Sequence, residues 1–267
     1  VTADPTGPVL PTDVPPDRPG RVVQDFTPAL IDMGSHHLCP GCGEPVALRA
    51  AVEAVADLDL VRRTICVFGI GCSTAFSNNL DLEVLQALHG RAPSVATGVK
   101  RARPDTVVLT VQGDGDMANE GLQEVLHAAA RGEAITCLML NNGVFGETGG
   151  HMTATTVLGQ RTKTSLEGRD PVRHGLPLKV ADLVAQLDGA AFVARGAVSS
   201  AGQVARTGRL LRRALEVQRS GAGFGLVEIL TMCPTGWFVD TLEAPAYLEA
   251  HLAPVHVGGV LKDTGPR

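Results

Sequence analysis

Aromatic residues are scarce in this chain of 267 residues, with one Trp, one Tyr and seven Phe, so the core must be filled largely by aliphatic side chains and alanine. Charge is sparse too. The 23 Lys and Arg against 28 Asp and Glu leave a net charge of −5, which excludes the basic footprint of a nucleic-acid binder and offers no attraction to an anionic bilayer. No apolar run approaches the length of a membrane span, and the N-terminus lacks a charged-then-apolar export pattern, so the expected location is cytoplasmic, without a membrane partner. What is abundant is glycine, 31 residues, within a 44% hydrophobic composition. That suits a sizeable core with many tight turns.

Residues 1–25 are set apart by Pro5, Pro8, Pro11, Pro15, Pro16 and Pro19, which break any helix and leave little apolar surface to bury. They are expected to be a disordered tail or an extended arm, leaving residues 26–267 as one α/β domain. Its centre is the stretch from Thr106 to Thr156. A buried strand, Thr106 to Val111, stops at Gln112 before Gly113-Asp114-Gly115; a helix follows, with Asn119 or Asp116 as its expected cap and Leu122, Val125, Leu126 and Ala129 at helical spacing. A second buried strand, Ile135 to Leu140, runs into Asn141-Asn142. This βαβ unit brings two strand ends to the sheet edge where α/β proteins place ligands.

Gly113 and Gly115 let the backbone approach a diphosphate, and the following helix start favours negative charge. Asp114 adds a carboxylate at the same spot. A carboxylate beside a diphosphate is repulsive unless a hard cation lies between them, so the stretch asks for Mg²⁺-diphosphate. Gly113, Gly115 and Ala118 also fit a permissive dinucleotide fingerprint. That pattern expects an acidic residue at the end of the second strand, where this chain has Asn141-Asn142, and Glu133 lies before the strand.

Six cysteines divide into two kinds. Cys66 in TICVFGI and Cys137 in ITCLML sit inside apolar strands as small core residues. Cys39 and Cys42 bracket a Pro-Gly turn, whereas Cys72 and Cys233 follow strand ends. Four thiolates at one sheet edge suit either Zn²⁺ or a 4Fe-4S cluster.

Taken together, CPGCG at 39–43, GIGCS at 69–73, HGRAPSVATGVKR at 89–101, GDGD at 113–116, NN about 26 residues later, FGETGGH at 145–151 and MCPTGW at 232–237 resemble the β subunit of a 2-oxoacid:ferredoxin oxidoreductase over about residues 36–260. The resemblance implies a thiamine diphosphate-binding α/β fold with a parallel sheet flanked by helices. It implies Mg²⁺ ligation by Asp114, Asn142 and the Val144 carbonyl, and a 4Fe-4S cluster on Cys39, Cys42, Cys72 and Cys233. It places Gly113, Gly115, Asp116, His89, Gly146, Thr148, Cys72 and Ser73 at the cofactor. The implied reaction is oxidative decarboxylation of a 2-oxoacid with coenzyme A to acyl-CoA and CO₂, electrons passing through the cluster to ferredoxin. The cofactor-activating glutamate is absent from this single βα core and is expected from an α subunit. Two rival readings use only part of the pattern: a non-oxidative thiamine-dependent decarboxylase subunit needs no cysteine quartet, and a zinc-stabilised non-catalytic subunit needs no GDG and NN.

Relatives acting on 2-oxoglutarate tend to carry a basic residue three positions after the GIGCS cysteine. Ala75 stands there, which disfavours a second carboxylate on the substrate and points to an apolar, branched-chain type of 2-oxoacid unless the α subunit supplies the missing charge. Phe145 and His151 also depart from the Tyr and Gln common in relatives. Beyond Gly150 a polar passage without periodicity is expected to be a structureless covering loop. Helices over Pro45 to Leu58, Leu178 to Leu187, Ala201 to Gln218 and about Pro245 to Leu252, with strands Ala191 to Ala197 and Gly225 to Leu230, complete the expected order. Lys100 and Arg101 are expected at an exposed helix end, His127 in packing, and Arg206, Arg209, Arg212 and Arg213 on a solvated face.

Overall fold

A computed structural model of the chain describes residues 29–30 and 36–266; the proline-rich segment lies outside the described residues. Helix α1 (Glu44–Asp57) opens with Pro45 in its first turn, where a missing N–H is not needed. Then come β1 (Thr64–Phe68), a 3₁₀ segment at Cys72–Asn79, β2 (Glu83–Gln86), α2 (Ala92–Ala102), β3 (Val107–Gly113), α3 (Leu122–Ala130) and β4 (Thr136–Asn141). A small hairpin of β5 (Val144–Phe145) and β6 (His151–Met152) leads into α4 (Pro171–His174) and α5 (Val180–Ala185). The chain closes with β7 (Ala190–Ala197), α6 (Ala201–Arg219), β8 (Phe224–Leu230), α7 (Pro234–Trp237), α8 (Ala244–Tyr247) and β9 (Gly259–Asp263).

Seven strands form one sheet in the order β2-β1-β3-β4-β8-β7-β9, all parallel except the antiparallel edge strand β9. Strand side chains alternate between two apolar layers, as a period of two requires. Cys66, Phe68, Leu138 and Leu140 join the layer under α1 and α6, while Val67, Cys137 and Met139 join the layer under α2, α3 and α5. A sheet covered on both faces explains the near-continuous apolar runs of β3, β4 and β8. Cys66 and Cys137 are core residues, as expected, and lie on opposite faces of the sheet. Among the described residues no helix is long and apolar enough to cross a membrane.

The expected elements are present with shifted ends. β3 continues through Gln112 to Gly113, so the GDG turn begins as the last strand residue rather than beyond it. The expected cap of α3 is corrected: neither Asp116 nor Asn119 caps it, because Gly115–Glu120 winds into a wide π-type turn and α3 starts only at Leu122. Asp116 is drawn instead to backbone N–H groups of other loops, and Asn119 accepts from the Ala154 amide at 2.8 Å. His127 is exposed rather than packed. Arg206, Arg209 and Arg212 are exposed as expected, whereas Arg213 is half-buried and holds Asp263 at 2.9 Å. The edge strands β2 and β9 went unanticipated, since both are short and polar.

Two polar devices interrupt the apolar layers. The β3–β4 ladder begins at Leu109 opposite Thr136, which leaves Val108 without a partner on β4. Gln218 of α6 supplies one: its Oε1 accepts from the Val108 amide at 2.8 Å, and its Nε2 donates to the Val108 carbonyl at 2.7 Å. The second device is ionic. Glu228 on β8, fully buried, faces Arg195 on β7 at 2.9 Å, and Arg195 also reaches Asp182 at 2.6 Å. Glu228 Oε1 accepts from Asn141 Nδ2 at 2.7 Å. His256, equally buried, has Nδ1 3.6 Å from the same carboxyl oxygen and Nε2 3.1 Å from the Thr155 carbonyl.

Replacing Gln218 by Leu strands two buried backbone groups, and the expected loss is about 2–3 kcal/mol, read as a lower urea midpoint at unchanged m-value. Burial holds the His256 pKa below the ordinary histidine value, against the opposing pull of Glu228. An unfolded chain therefore binds a proton that the folded chain refuses, so stability falls as pH drops below about 6.5. Because buried carboxyls titrate in the opposite sense over the same range, the fall is read as a difference: the urea midpoint of the unaltered protein should drop relative to that of His256→Gln between about pH 7.5 and 5.5.

Candidate active site at the carboxyl edge of the sheet

Four loops converge because they leave parallel neighbouring strands at the same edge. Gly69 to Ser73 follow β1, Gly113 to Asp116 end β3, Asn141-Asn142 end β4 and Met232-Cys233 follow β8. The amino end of α1 joins them, since the Gly43 amide donates to the Met232 carbonyl at 2.9 Å.

Asp114 is 1% exposed. Its Oδ1 accepts from the Asn142 amide at 3.3 Å, and its Oδ2 accepts from the Thr155 hydroxyl at 2.5 Å. Burial outweighs these bonds and pushes its carboxyl up to about 6. Asp116 ties three loops together, with Oδ1 accepting from the amides of Gly90 (2.8 Å) and Ile70 (3.4 Å) and Oδ2 from Gln112 Nε2 (2.6 Å). Gly90 has φ +71° and its backbone lies hard against Glu120 and Gly121, so a side chain would be both strained and obstructed. That turn sets His89, exposed, at the rim of the site.

Asn142 is held on three sides. Its Oδ1 accepts from the Val144 amide at 3.0 Å, its Nδ2 donates to Glu44 Oε1 at 3.4 Å, and its carbonyl accepts from Trp237 Nε1 at 2.7 Å. Glu44 is 3% exposed, and its second oxygen has no partner among the described residues. Burial first, then the nearby charges of Asp114 and Glu147, push its carboxyl up to about 8.

Two cavities lie back to back here. The first is lined by Gly113, Asp114, Gly115, Asp116, His89, Asn142, Val144, Gly146 and Thr148, with Ile70 and Phe145 as its apolar wall. It carries Glu44, Glu120 and Glu147 besides the two aspartates, and no Lys or Arg among the described residues. The second is lined by Cys39, Cys42, Cys72 and Cys233. Glu44, Cys72, Gly146 and Glu147 form the wall common to both. A Cβ on Gly146 would stand 3.2 Å from Cys72 Sγ and 3.5 Å from Cys233 Sγ, so glycine leaves room beside the sulfurs. Burial pushes the Cys233 thiol up to about 12 and raises those of Cys42 and Cys72 as well. The Glu44 amide donates to Cys42 and the Gly236 amide to Cys233. Among the described residues no three His, Cys, Asp or Glu side chains converge on a point where a single ion would sit; the four sulfurs line a cavity instead.

Of the residues expected at the cofactor, only Ser73 stands off the first cavity, buried beneath Cys72. Ala75 lines the cysteine cavity, next to the wall that it shares with the GDG cavity. The covering passage is not structureless. Arg169, 6% exposed, donates to six carbonyls, those of Thr153, Ala154, Thr156, His174, Gly175 and Leu176, at 2.8–3.1 Å. Asp170 caps α4, and Thr155 fastens the passage to Asp114. Glu44, Trp237, Thr155 and Arg169 were missed in the sequence. The first two had a signal, an acid next to the CPGC turn and the sole Trp within MCPTGW.

The donor chemistry fits the groups implied. Asp114, the Asn142 side-chain oxygen and the Val144 carbonyl are oxygen donors of the kind Mg²⁺ takes. The uncompensated buried carboxyls are what a cation would neutralise. The four cysteines, with the thiols of Cys42, Cys72 and Cys233 raised by burial, form a set that a metal centre would deprotonate.

Comparison with known proteins agrees with this geometry. The sequence profile of the thiamine pyrophosphate enzyme C-terminal TPP-binding domain matches residues 69–229, more than half of the chain. The ketoisovalerate oxidoreductase subunit VorA of Methanothermobacter thermautotrophicus is 38% identical over 216 residues, which is 81% of this chain and 45% of that protein. The 2-oxoglutarate synthase subunit KorB of Archaeoglobus fulgidus is 36% identical over 214 residues, 80% of this chain and 74% of that one. This chain thus spans under half the length of the ketoisovalerate relatives and most of the 2-oxoglutarate one. The structure of the 2-oxoglutarate:ferredoxin oxidoreductase from Magnetococcus marinus, with 2-oxoglutarate, coenzyme A and succinyl-CoA bound, superposes with a TM-score of 0.72 at 26% identity, covering 90% of this chain and 84% of that one. A GDG–NN edge on a mostly parallel sheet, matched along most of the chain by these relatives, makes the protein a member of the thiamine pyrophosphate enzyme family, in the group that includes subunits of 2-oxoacid oxidoreductases.

Proposed function

We propose that the chain is the β subunit of a cytoplasmic 2-oxoacid:ferredoxin oxidoreductase that decarboxylates a 2-oxoacid oxidatively and yields acyl-CoA. The wall shared by the GDG cavity and the cysteine cavity carries this reading. A non-oxidative decarboxylase has no use for four thiols against its cofactor site, and a purely structural cysteine site has no use for the buried Asp114 and Asn142.

In this reading Asp114, Asn142 and the Val144 carbonyl hold Mg²⁺, and Cys39, Cys42, Cys72 and Cys233 hold a 4Fe-4S cluster. When bound, thiamine diphosphate supplies the carbanion chemistry that a 2-oxoacid needs to lose CO₂. The protein's own part is placement. Gly113 and Gly115 admit the diphosphate, with Asp116, His89 and Thr148 around it. Phe145 walls the cavity, and the passage organised by Arg169 holds the Thr155 hydroxyl against Asp114. Cys72 and Gly146 keep the electron-accepting site within one wall's thickness, and the N–H groups of Glu44 and Gly236 favour charge on the sulfurs of Cys42 and Cys233. The activating glutamate is assigned to an α subunit, and ferredoxin to the electron acceptor.

The substrate assigned is a 2-oxoacid with an apolar, branched side chain. The GDG cavity has Ile70, Val144 and Phe145 on its walls and no Lys or Arg among the described residues, so a second substrate carboxylate would be buried there without a partner from those residues. The similarity to a ketoisovalerate oxidoreductase subunit is in line with this.

Three outcomes test the proposal on the chain co-purified with its natural partner under anaerobic conditions. A broad absorbance near about 400 nm, bleached by dithionite and accompanied by about four irons per chain, should be present and should be lost in Cys72→Ser; stoichiometric zinc in a colourless protein would turn the assignment to the structural or non-oxidative alternatives. Asp114→Ala should abolish thiamine diphosphate binding while leaving the iron in place, and full retained affinity would overturn the Mg²⁺ assignment. A branched-chain 2-oxoacid should exceed 2-oxoglutarate in kcat/KM by about tenfold or more, the scale of a buried unpaired charge; the reverse order would overturn the substrate assignment.

A further inference from the structure

The buried cluster around Glu228 lies beneath the site, and none of its members lines either cavity. An apolar sheet bears an ion pair at a price in desolvation, and well-packed apolar residues in its place are often as stable or more so. Stability alone therefore does not account for Arg195, Glu228 and His256. Their contacts do. Glu228 Oε1 takes a hydrogen of the Asn141 side-chain amide at 2.7 Å, which turns Asn141 Oδ1 toward the Gly143 amide at 3.1 Å. That pair of bonds shapes the bend from Asn141 to Val144, the segment that presents the Asn142 side chain and the Val144 carbonyl. The other branch starts at His256. Its Nε2 lies 3.1 Å from the Thr155 carbonyl, and the Thr155 hydroxyl donates to Asp114 at 2.5 Å. Asp182 and the Val257 carbonyl, at 2.6 and 2.9 Å from Arg195, fix the guanidinium that faces Glu228.

We infer that Glu228 and His256 are positioning residues for the cofactor site, holding from below the two strand ends on which the oxygen donors sit. The inference rests on Asp114, Asn142 and Val144 being those donors. Outer partners of this kind typically change metal affinity by about 10- to 100-fold when removed. Neither residue touches cofactor or substrate, so both act through Asn141 and Thr155.

The test is titration of magnesium thiamine diphosphate, by intrinsic fluorescence of Trp237 and by calorimetry, into the full chain purified with its partner. Arg195→Met/Glu228→Leu removes the ion pair together and keeps the volume apolar. It should fold with a melting temperature close to that of the unaltered protein, yet bind at least about tenfold more weakly. Glu228→Gln keeps an oxygen for Asn141 and should restore affinity to within about threefold. His256→Phe cuts only the Thr155 branch and should weaken binding without disturbing the pair, which keeps the inference testable if the double variant does not fold. Unchanged affinity in folded variants would overturn it, as would equal losses for Glu228→Gln and the double variant. Failure of the unaltered protein to bind would instead overturn the underlying cofactor reading.

Discussion

Asp114 and Glu44 bury two acids within electrostatic reach of one another at the edge of a parallel sheet, and this concentration of negative charge governs the rest of the site. Burying an ionised carboxylate without compensation is so costly that the group takes up a proton instead, and both are displaced in that direction. Every loop nearby answers the same demand. Backbone amides point at Asp114 and Asp116, hydroxyls of the covering passage reach Asp114, and the Asn142 amide turns its hydrogens toward Glu44. Among the described residues the cavity is lined by dipoles and carboxyls with no Lys or Arg.

The same economy explains the sheet. Parallel strands carry their loops to one side, so motifs scattered over nearly 200 positions meet without long connections. The helices on the two faces serve as spacers that also complete imperfect pairings, as Gln218 does for Val108.

The sequence made the strands and the outer helices legible because their apolar periods are strong, and the GDG, NN and cysteine positions legible because such residues have no reason to interrupt apolar runs otherwise. Three things were hidden for physical reasons. The wide turn at Gly115–Glu120 was masked because Asp116 and Asn119 look like caps, yet their side chains find backbone amides distant in sequence. The passage after Gly150 looked structureless because its order comes from carbonyls meeting one guanidinium, which leaves no periodic trace. Glu228 sat in plain view within an apolar strand, FGLVEIL, and Arg195 in another, but only the register of β7 with β8 makes them partners.

Arg169 has a consequence for how the covering passage can vary among descendants of this chain. Its guanidinium gathers carbonyls from both ends, Thr153 to Thr156 and His174 to Leu176, and main-chain acceptors are supplied by any residue type. The two ends are thus clamped independently of the side chains between them. Insertions at the exposed turn of Leu166 and Glu167 would alter the outer contour of the passage while leaving the clamp intact, whereas Val157, Gln160 and Thr162 are buried beneath it. The passage is therefore a natural place for lineages to diversify, with one arginine as the fixed point around which that divergence is permitted.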